Sequence, residues 1–223
     1  MLQLIATRLG SLCEEVVFLG GSTTGLFITD SGAPDVRATF DVDCIVDVIS
    51  IPKYYMVEQK LQACGFKKGI NDNVICRWHM DEMILDVMPT DEKILGFSNK
   101  WYKPAIFNAV KRILSDNLQI QIVSPPYLIA TKLEAFKNRG MMDYMLSHDL
   151  EDIITVIDGR AEIVDEIINA DNKVKKYLSN SFADIMKDKK FHNALPGHLI
   201  QYGSVYQERV NLVLKRIELI MLS

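Results

Sequence analysis

The stretch Arg37-Ala38-Thr39-Phe40-Asp41-Val42-Asp43-Cys44-Ile45-Val46-Asp47-Val48 places carboxylates in what is otherwise a strand-like run. Its residue types alternate with the period of two that is typical of a strand with one core face. The positions predicted to face the core are Phe40, Val42, Cys44, Val46 and Val48. Asp41 and Asp43 therefore point in one direction, on the opposite face.

The neighbouring carboxylates of Asp41 and Asp43 have two explanations. Two ionised carboxylates repel each other and cost desolvation, so such a pair is most easily kept where a cation neutralises it. Ligands that offer only oxygen select Mg²⁺ or Mn²⁺ rather than zinc. Alternatively, the strand lies at a solvated edge of its sheet and the acidic residues face water. The Asp-x-Asp pattern alone favours this second explanation.

Composition limits the classes of fold and partner. The 223 residues, 48% of them apolar, suffice for one large domain or two small ones, and a net charge of -4 argues against a generally basic nucleic-acid binder. The four cysteines form no Cys-x-x-Cys pair, so neither a disulfide framework nor a thiolate zinc site is predicted, and a reducing cytoplasm fits. Residues 1–15 predict an amphipathic helix rather than a signal peptide. The sequence has no run of about 20 apolar residues, which excludes a membrane span.

A glycine-rich turn precedes the acidic stretch. Residues 16–19 are apolar and β-branched and predict a strand, which Gly20-Gly21-Ser22 follows as a tight turn into a helix. Paired glycines let the backbone approach a ligand closely, and a helix N-terminus presents free N–H groups to an anion. Ser22 or Thr23 could equally be an ordinary helix cap. By itself the turn is only a weak indication of an anion-binding loop.

A third carboxylate lies in a later apolar run. Residues 73–80 and 83–88 predict two strands joined by a short turn. The second of them contains Asp86, and a carboxylate in such a run is costly unless something pairs with it. We therefore predict Asp86 to be a third ligand of a cation, beside Asp41 and Asp43 on a neighbouring strand.

The pattern becomes helical after residue 124. Pro125-Pro126 closes the last strand-like run, and helices are predicted over residues 127–139, 147–157, 161–168, 172–186 and 205–222. The predicted organisation is an α/β core with a mixed sheet in residues 1–124 and a helical C-terminal domain in residues 125–223. Near its end, Pro196-Gly197 predicts a loop that carries His192 and His198.

Five motifs follow one another along residues 16–152: a strand with Gly20-Gly21-Ser22; Arg37-x-Thr39-x-Asp41-x-Asp43; Asp86 in an apolar strand; Thr131-Lys132-Leu133-x-Ala135-Phe136-x-x-Arg139; and His148-Asp149-Leu150-x-Asp152. In this order they resemble the nucleotidyltransferase superfamily that includes DNA polymerase beta. Within it, they resemble the AbiEii/AbiGii-type toxin nucleotidyltransferases of abortive-infection and toxin-antitoxin systems. One departure is a longer gap between Ser22 and Asp41 than the shortest members of the superfamily have.

The resemblance implies a metal-dependent enzyme with a nucleotidyltransferase core. Two Mg²⁺ ions, or Mn²⁺, held by Asp41, Asp43 and Asp86 would align an attacking hydroxyl with the α-phosphorus of a nucleoside triphosphate and stabilise the leaving pyrophosphate. The turn at residues 20–22 would hold the β and γ phosphates. The nucleotide-binding residues that the resemblance implies are Gly20, Gly21, Ser22, Arg37, Thr39, Lys132 and Arg139. Arg37 is equally well explained as a plain surface arginine.

Lys132 and Asp149 have both a functional and a structural explanation. Lys132 lies on the inward-facing stripe of its predicted helix, and a long cationic stem there commonly extends out to solvent. The motif instead favours a catalytic Lys132 in contact with phosphate or nucleotide. Asp149 suits a helix N-terminus on physical grounds alone, whereas the motif favours a catalytic role in orienting Lys132 or the nucleophile.

The reaction implied is transfer of a nucleoside monophosphate from a nucleoside triphosphate to an acceptor hydroxyl, by a cytoplasmic toxin without a membrane partner. The acceptor would be an RNA or tRNA 3′ end or a protein, and a cognate antitoxin is a possible partner. Lysine clusters at residues 173–176 and 187–190 are typical of solvated faces, and if the acceptor is RNA they are where its phosphates would run. The alternatives are a small-molecule (aminoglycoside-type) nucleotidyltransferase and a non-catalytic nucleotide-binding scaffold with the same fold. Cys76-x-x-His79 is a poor metal chelate, since strand positions three apart face opposite ways.

Overall fold

A computed structural model describes residues 1–69, 72, 74–138, 142–199 and 205–223. The chain divides into two compact units. The first unit comprises Met1–Thr23 and Arg37–Ser124, and the second comprises Thr24–Val36 and Pro125–Ser223. The segment Thr24–Val36 thus interrupts the first unit in sequence while belonging to the second.

Among the described residues, the first unit contains a six-stranded sheet with the order β3-β4-β2-β1-β6-β5. The strands are β1 (Val16–Leu19), β2 (Asp41–Val46), β3 (Arg77–Met80), β4 (Met83–Pro89), β5 (Val110–Ser115) and β6 (Leu118–Ile122). β2 pairs with β4, and β1 with β6, in parallel, whereas the other neighbouring strands are antiparallel. The predicted mixed sheet is therefore confirmed.

Helices of the first unit follow the apolar spacing of the sequence. They are α1 (Leu2–Leu9), α2 (Gly21–Thr24), whose last residue already belongs to the second unit, α3 (Ile51–Ala63), α4 (Glu92–Leu95) and α5 (Tyr102–Phe107). Leu2, Ile5 and Leu9 are buried on one face of α1. This spacing confirms an amphipathic helix at the start of the chain, although the α-helix ends at Leu9 and a 3-10 helix at Gly10–Glu14 takes the rest of the predicted range.

β2 is shorter than the sequence predicts. Its pairing with β1 reaches only as far as Leu19 opposite Asp43, and its pairing with β4 begins at Asp41 opposite Ile84. Residues 37–40 therefore lie outside the strand. The prediction that Phe40 faces the core was wrong, because Phe40 has no ladder partner and the residue is 83% exposed. The predicted core positions within β2 are confirmed as buried, namely Val42, Cys44 and Val46.

The second unit is helical, as predicted for the C-terminal part of the chain. Its longer helices are α6 (Pro125–Asn138), α7 (His148–Gly159), α8 (Ile163–Ile168), α9 (Asn172–Lys187), α10 (Lys189–His198) and α11 (Tyr206–Met221). The loop predicted around Pro196-Gly197 was wrong, because His192 and His198 lie in α10. Burial of Phe191 and Leu195 on one face of α10 outweighs the backbone hydrogen bond that Pro196 cannot make.

The segment Thr24–Val36 is attached to the second unit by hydrogen bonds and an ion pair. The backbone N–H groups of Thr29 and Asp30 both donate to the Gly159 carbonyl at 2.9 Å. Arg209 Nη1 lies 2.6 Å from Asp30 Oδ2. A Cβ at Gly159 would lie 2.9 Å from Ile28 Cδ1, so the absence of a side chain there lets Ile28 pack closely. These contacts explain how a segment without strands or long helices becomes part of a helical unit.

Within the described residues, no helix is long and apolar enough to cross a membrane.

Candidate functional site

The predicted ligands Asp41, Asp43 and Asp86, named here the acidic cluster, lie on neighbouring strands of the first unit. Parallel pairing of β2 with β4 places Asp43 directly opposite Asp86. Asp41 lies two residues before Asp43 and therefore on the same face of β2. Asp86 is buried, whereas Asp41 and Asp43 are partly exposed. The register of the sheet thus brings the acidic cluster to one face.

Arg77 binds the acidic cluster, and sequence reasoning missed it. Antiparallel pairing of β3 with β4 places Arg77 opposite Asp86. Its Nε donates to Asp86 Oδ1 at 2.9 Å and its Nη2 donates to Asp86 Oδ2 at 2.7 Å. The same Nη2 donates to Asp41 Oδ2 at 3.2 Å. This two-pronged contact with a carboxylate is the strongest arginine pairing geometry.

The charge of Arg77 is stabilised by the acidic cluster but does not balance it. The hydrogen bonds to Asp86 raise the pKa of Arg77 above its already high range, against the opposing effect of burial, and the nearby charge of Asp41 raises it further. Arg77 therefore keeps its positive charge at every working pH. Formally, one positive charge stands against the three negative charges that the acidic cluster carries when ionised.

The acidic cluster fits a divalent cation in residue type and register. Three carboxylates supply the oxygen ligands that Mg²⁺ and Mn²⁺ prefer. The side-chain positions do not yet suit a metal ion, because Arg77 binds both oxygens of Asp86 and one oxygen of Asp41. The described part of the chain contains no group of three or more His, Cys, Asp or Glu side chains arranged to hold a metal ion.

The turn after β1 contacts the acidic cluster through Gly20. Gly20 has a φ of 81°, and a Cβ on it would lie 2.1 Å from Asp43 Oδ2. The turn is closed by Thr23, whose N–H and Oγ1 donate to the Gly20 carbonyl at 3.2 and 2.8 Å. Glycine is therefore required at this position both for its backbone conformation and to admit the Asp43 carboxylate.

The remaining nucleotide-binding residues predicted in the first unit lie close to these elements in sequence. Gly21 begins the single turn of α2, and Ser22 follows it. The Ser22 Oγ is buried and has no hydrogen-bond partner among the described residues. Arg37 and Thr39 are half-buried in the irregular segment before β2. Arg139, predicted with them, lies outside the described residues.

Lys132 of the second unit lies between two carboxylates of α7. Its Nζ is 3.2 Å from Asp149 Oδ1 and 2.6 Å from Asp152 Oδ2. All three side chains are buried, with exposures of 11% for Lys132, 9% for Asp149 and 2% for Asp152. The lysine therefore does not extend out to solvent, which was the structural alternative.

Local structure explains how α7 presents both acids. Ser147 caps the helix, since its Oγ accepts a hydrogen bond from the Leu150 N–H at 3.3 Å. Asp149 lies in the first turn, where a carboxylate is favourable, and Asp152 follows three residues later on the same face. In the sequence, Asp152 stood out only as the last residue of the fifth motif, with no role of its own. The three-residue spacing after Asp149 was the signal that both acids could reach one cation.

Comparison with known proteins adds no family assignment to this geometry. No protein-family model matches the sequence, and no curated protein matches it significantly.

Proposed function

We propose that the chain is a metal-dependent nucleotidyltransferase of the AbiEii/AbiGii type, which transfers a nucleoside monophosphate from a nucleoside triphosphate to an acceptor hydroxyl. The observation that carries this proposal is the register that sets Asp43 opposite Asp86 on parallel strands. Asp41 on the same face and Gly20 against Asp43 support it. A buried strand retains such carboxylates at a cost, which binding of a cation offsets.

Asp41, Asp43 and Asp86 would hold Mg²⁺ or Mn²⁺ in this enzyme. Such an ion supplies a Lewis acid that neutralises charge on the transferring phosphoryl group. The turn that begins at Gly20 would contact the triphosphate, with Ser22 as a hydrogen-bond donor. A buried hydroxyl without a partner costs free energy, and a phosphate oxygen would remove that cost.

In this proposal Lys132 stabilises negative charge on the nucleotide. Its two carboxylate partners, Asp149 and Asp152, fix the position of the ammonium group. A pre-positioned cation is most effective where charge develops in the transition state, since it needs no reorganisation during the reaction. Asp149 and Asp152 then act as positioning residues for Lys132.

The proposed acceptor is an RNA or tRNA 3′ end or a protein hydroxyl, and the biological role is that of a cytoplasmic toxin with a cognate antitoxin. Exposed lysines near both ends of α9 support an RNA acceptor, since they provide positive charge for phosphates. These lysines are Lys173, Lys176, Lys187, Lys189 and Lys190.

The test is incubation of the protein with each α-labelled nucleoside triphosphate, Mg²⁺ and total RNA, followed by separation of RNA, protein and small molecules. We expect label in the RNA or protein fraction. Asp43→Asn should abolish labelling, whereas Asp47→Asn, an exposed acid just beyond β2, should retain it. Label in a small molecule instead would identify the small-molecule alternative. Nucleotide binding without any labelled product would contradict the proposal and favour a non-catalytic scaffold.

A further inference from the structure

The Arg77 guanidinium lies where the proposed function requires a metal ion. It engages both oxygens of Asp86, a carboxylate that is only 9% exposed at its side chain, and extends to Asp41. This position follows from the fold, because the β3–β4 register sets Arg77 opposite Asp86. The guanidinium thus supplies the counter-charge that a buried carboxylate needs when no metal ion is present.

Arg77 and a divalent cation would bind the same carboxylate oxygens and repel each other there. At about 4 Å in water, a divalent ion and a guanidinium repel each other enough to weaken metal binding about 30-fold. The repulsion is stronger where the carboxylates are shielded from water, as Asp86 is. A metal ion on the acidic cluster therefore requires the guanidinium to move.

The exposure of the three partners allows such a movement. The Arg77 side chain is 24% exposed and that of Asp41 is 41% exposed, whereas Asp86 is enclosed. Arginine has a long, flexible stem, so its head group can leave Asp86 for solvent without a change in the strand that carries it. The acidic cluster itself stays in place, since β2 and β4 fix it.

We propose that Arg77 is an internal counter-cation that competes with the divalent metal for Asp86 and Asp41 and must be displaced before metal binds. This inference rests on the metal site of the proposed function and adds that Arg77 limits metal binding at that site. Arg77 stabilises the metal-free protein and raises the metal concentration needed to load the site. Loading then requires a higher concentration of free Mg²⁺ or Mn²⁺ than a permanently open site would, while the shape of the binding curve stays the same.

The experiment is a titration of the metal-free protein with Mn²⁺, read by calorimetry and by the shift in melting temperature. Arg77→Met should bind Mn²⁺ about tenfold or more tightly than the wild type, since it removes the competing charge. Arg77→Lys keeps the charge but lacks the two-pronged fork, so its affinity should fall between the two. Lys111→Met, which removes an exposed charge from β5, should change affinity less than about twofold.

The melting temperature gives a second readout that does not depend on activity. Without metal, Arg77→Met should melt below the wild type, because Asp86 loses its partner. Mn²⁺ should raise its melting temperature more than it raises that of the wild type. If the substitution prevents folding, Arg77→Lys provides the same comparison with the charge retained.

The outcomes separate this inference from the proposed function. If Arg77→Met binds Mn²⁺ no more tightly than the wild type while Asp43→Asn abolishes binding, the metal site stands and the competing role of Arg77 is refuted. If neither wild type nor any Arg77 variant binds Mn²⁺, the metal site of the proposed function is refuted and the inference falls with it.

Discussion

Replacing Lys132 with methionine removes the positive charge between two buried carboxylates while keeping most of the side-chain volume. Its partners are 2.6 and 3.2 Å away, and the nearer one, Asp152, is 2% exposed. Removing one partner of a buried ion pair costs about 3–5 kcal/mol, because the remaining charge is left without compensation. This is a large share of the stability of a typical domain, which is about 5–15 kcal/mol.

Unfolding in urea, monitored by far-ultraviolet circular dichroism, measures this cost, since the second unit is helical. Tryptophan fluorescence reports separately on the first unit, where Trp78 and Trp101 both lie. The matched control is Lys176→Met, which removes an exposed lysine from α9 and should change stability by no more than about 0.5 kcal/mol.

A double-mutant cycle tests the pairing itself. Asp152→Asn in the Lys132→Met background removes one of the two uncompensated charges, so the double variant should be more stable than the sum of the single effects predicts. The coupling should be about 1–3 kcal/mol. Additive effects within about 0.5 kcal/mol, or a cost of Lys132→Met below about 1 kcal/mol, would refute the buried ion pair.

Two further predictions concern the first unit. Gly20→Ala should lower the free energy of unfolding, measured in urea, by about 1–3 kcal/mol, and Gly10→Ala should lower it much less. Both glycines have positive φ, but only a Cβ at position 20 meets Asp43. Equal losses for the two variants would contradict the predicted clash. Burial raises the pKa of Cys13 to about 11 and also raises that of the less buried Cys64, and thiolate forms as pH rises through the pKa. At about pH 8 a disulfide reagent should therefore modify Cys64 first; an initial phase that survives Cys64→Ser would contradict this order.

Local periodicity accounts for the parts of the fold that the sequence predicts. The burial of Leu2, Ile5 and Leu9 in α1 follows from helical spacing within eight residues. The segment Thr24–Val36 has no such signature. Its anchors Gly159 and Arg209 lie more than a hundred residues further along the chain, so its place in the second unit depends on tertiary contacts.

The two pairings that define the candidate site differ in how far the sequence could have revealed them. Arg77 and Asp86 are each the fourth residue from the β3–β4 turn, so a two-residue hairpin predicts them to be opposite each other. The contact of Lys132 with Asp152 depends on how α6 packs against α7. The three-residue spacing in the sequence shows that Asp149 and Asp152 share a face of α7. Only the packing of α6 against α7 determines that Lys132 is the cation they contact.

Parallel reactions with α-labelled and γ-labelled nucleoside triphosphate distinguish nucleotidyl transfer from other reactions of the triphosphate, since both use the same protein, Mg²⁺ and total RNA. Nucleotidyl transfer predicts label in the RNA or protein acceptor from the α-labelled substrate only, with the γ-label released in pyrophosphate. Asp43→Asn should abolish both signals, and Asp47→Asn should leave both in place. Transfer of the γ-label to the acceptor, or equal signals from wild type and Asp43→Asn, would contradict the account.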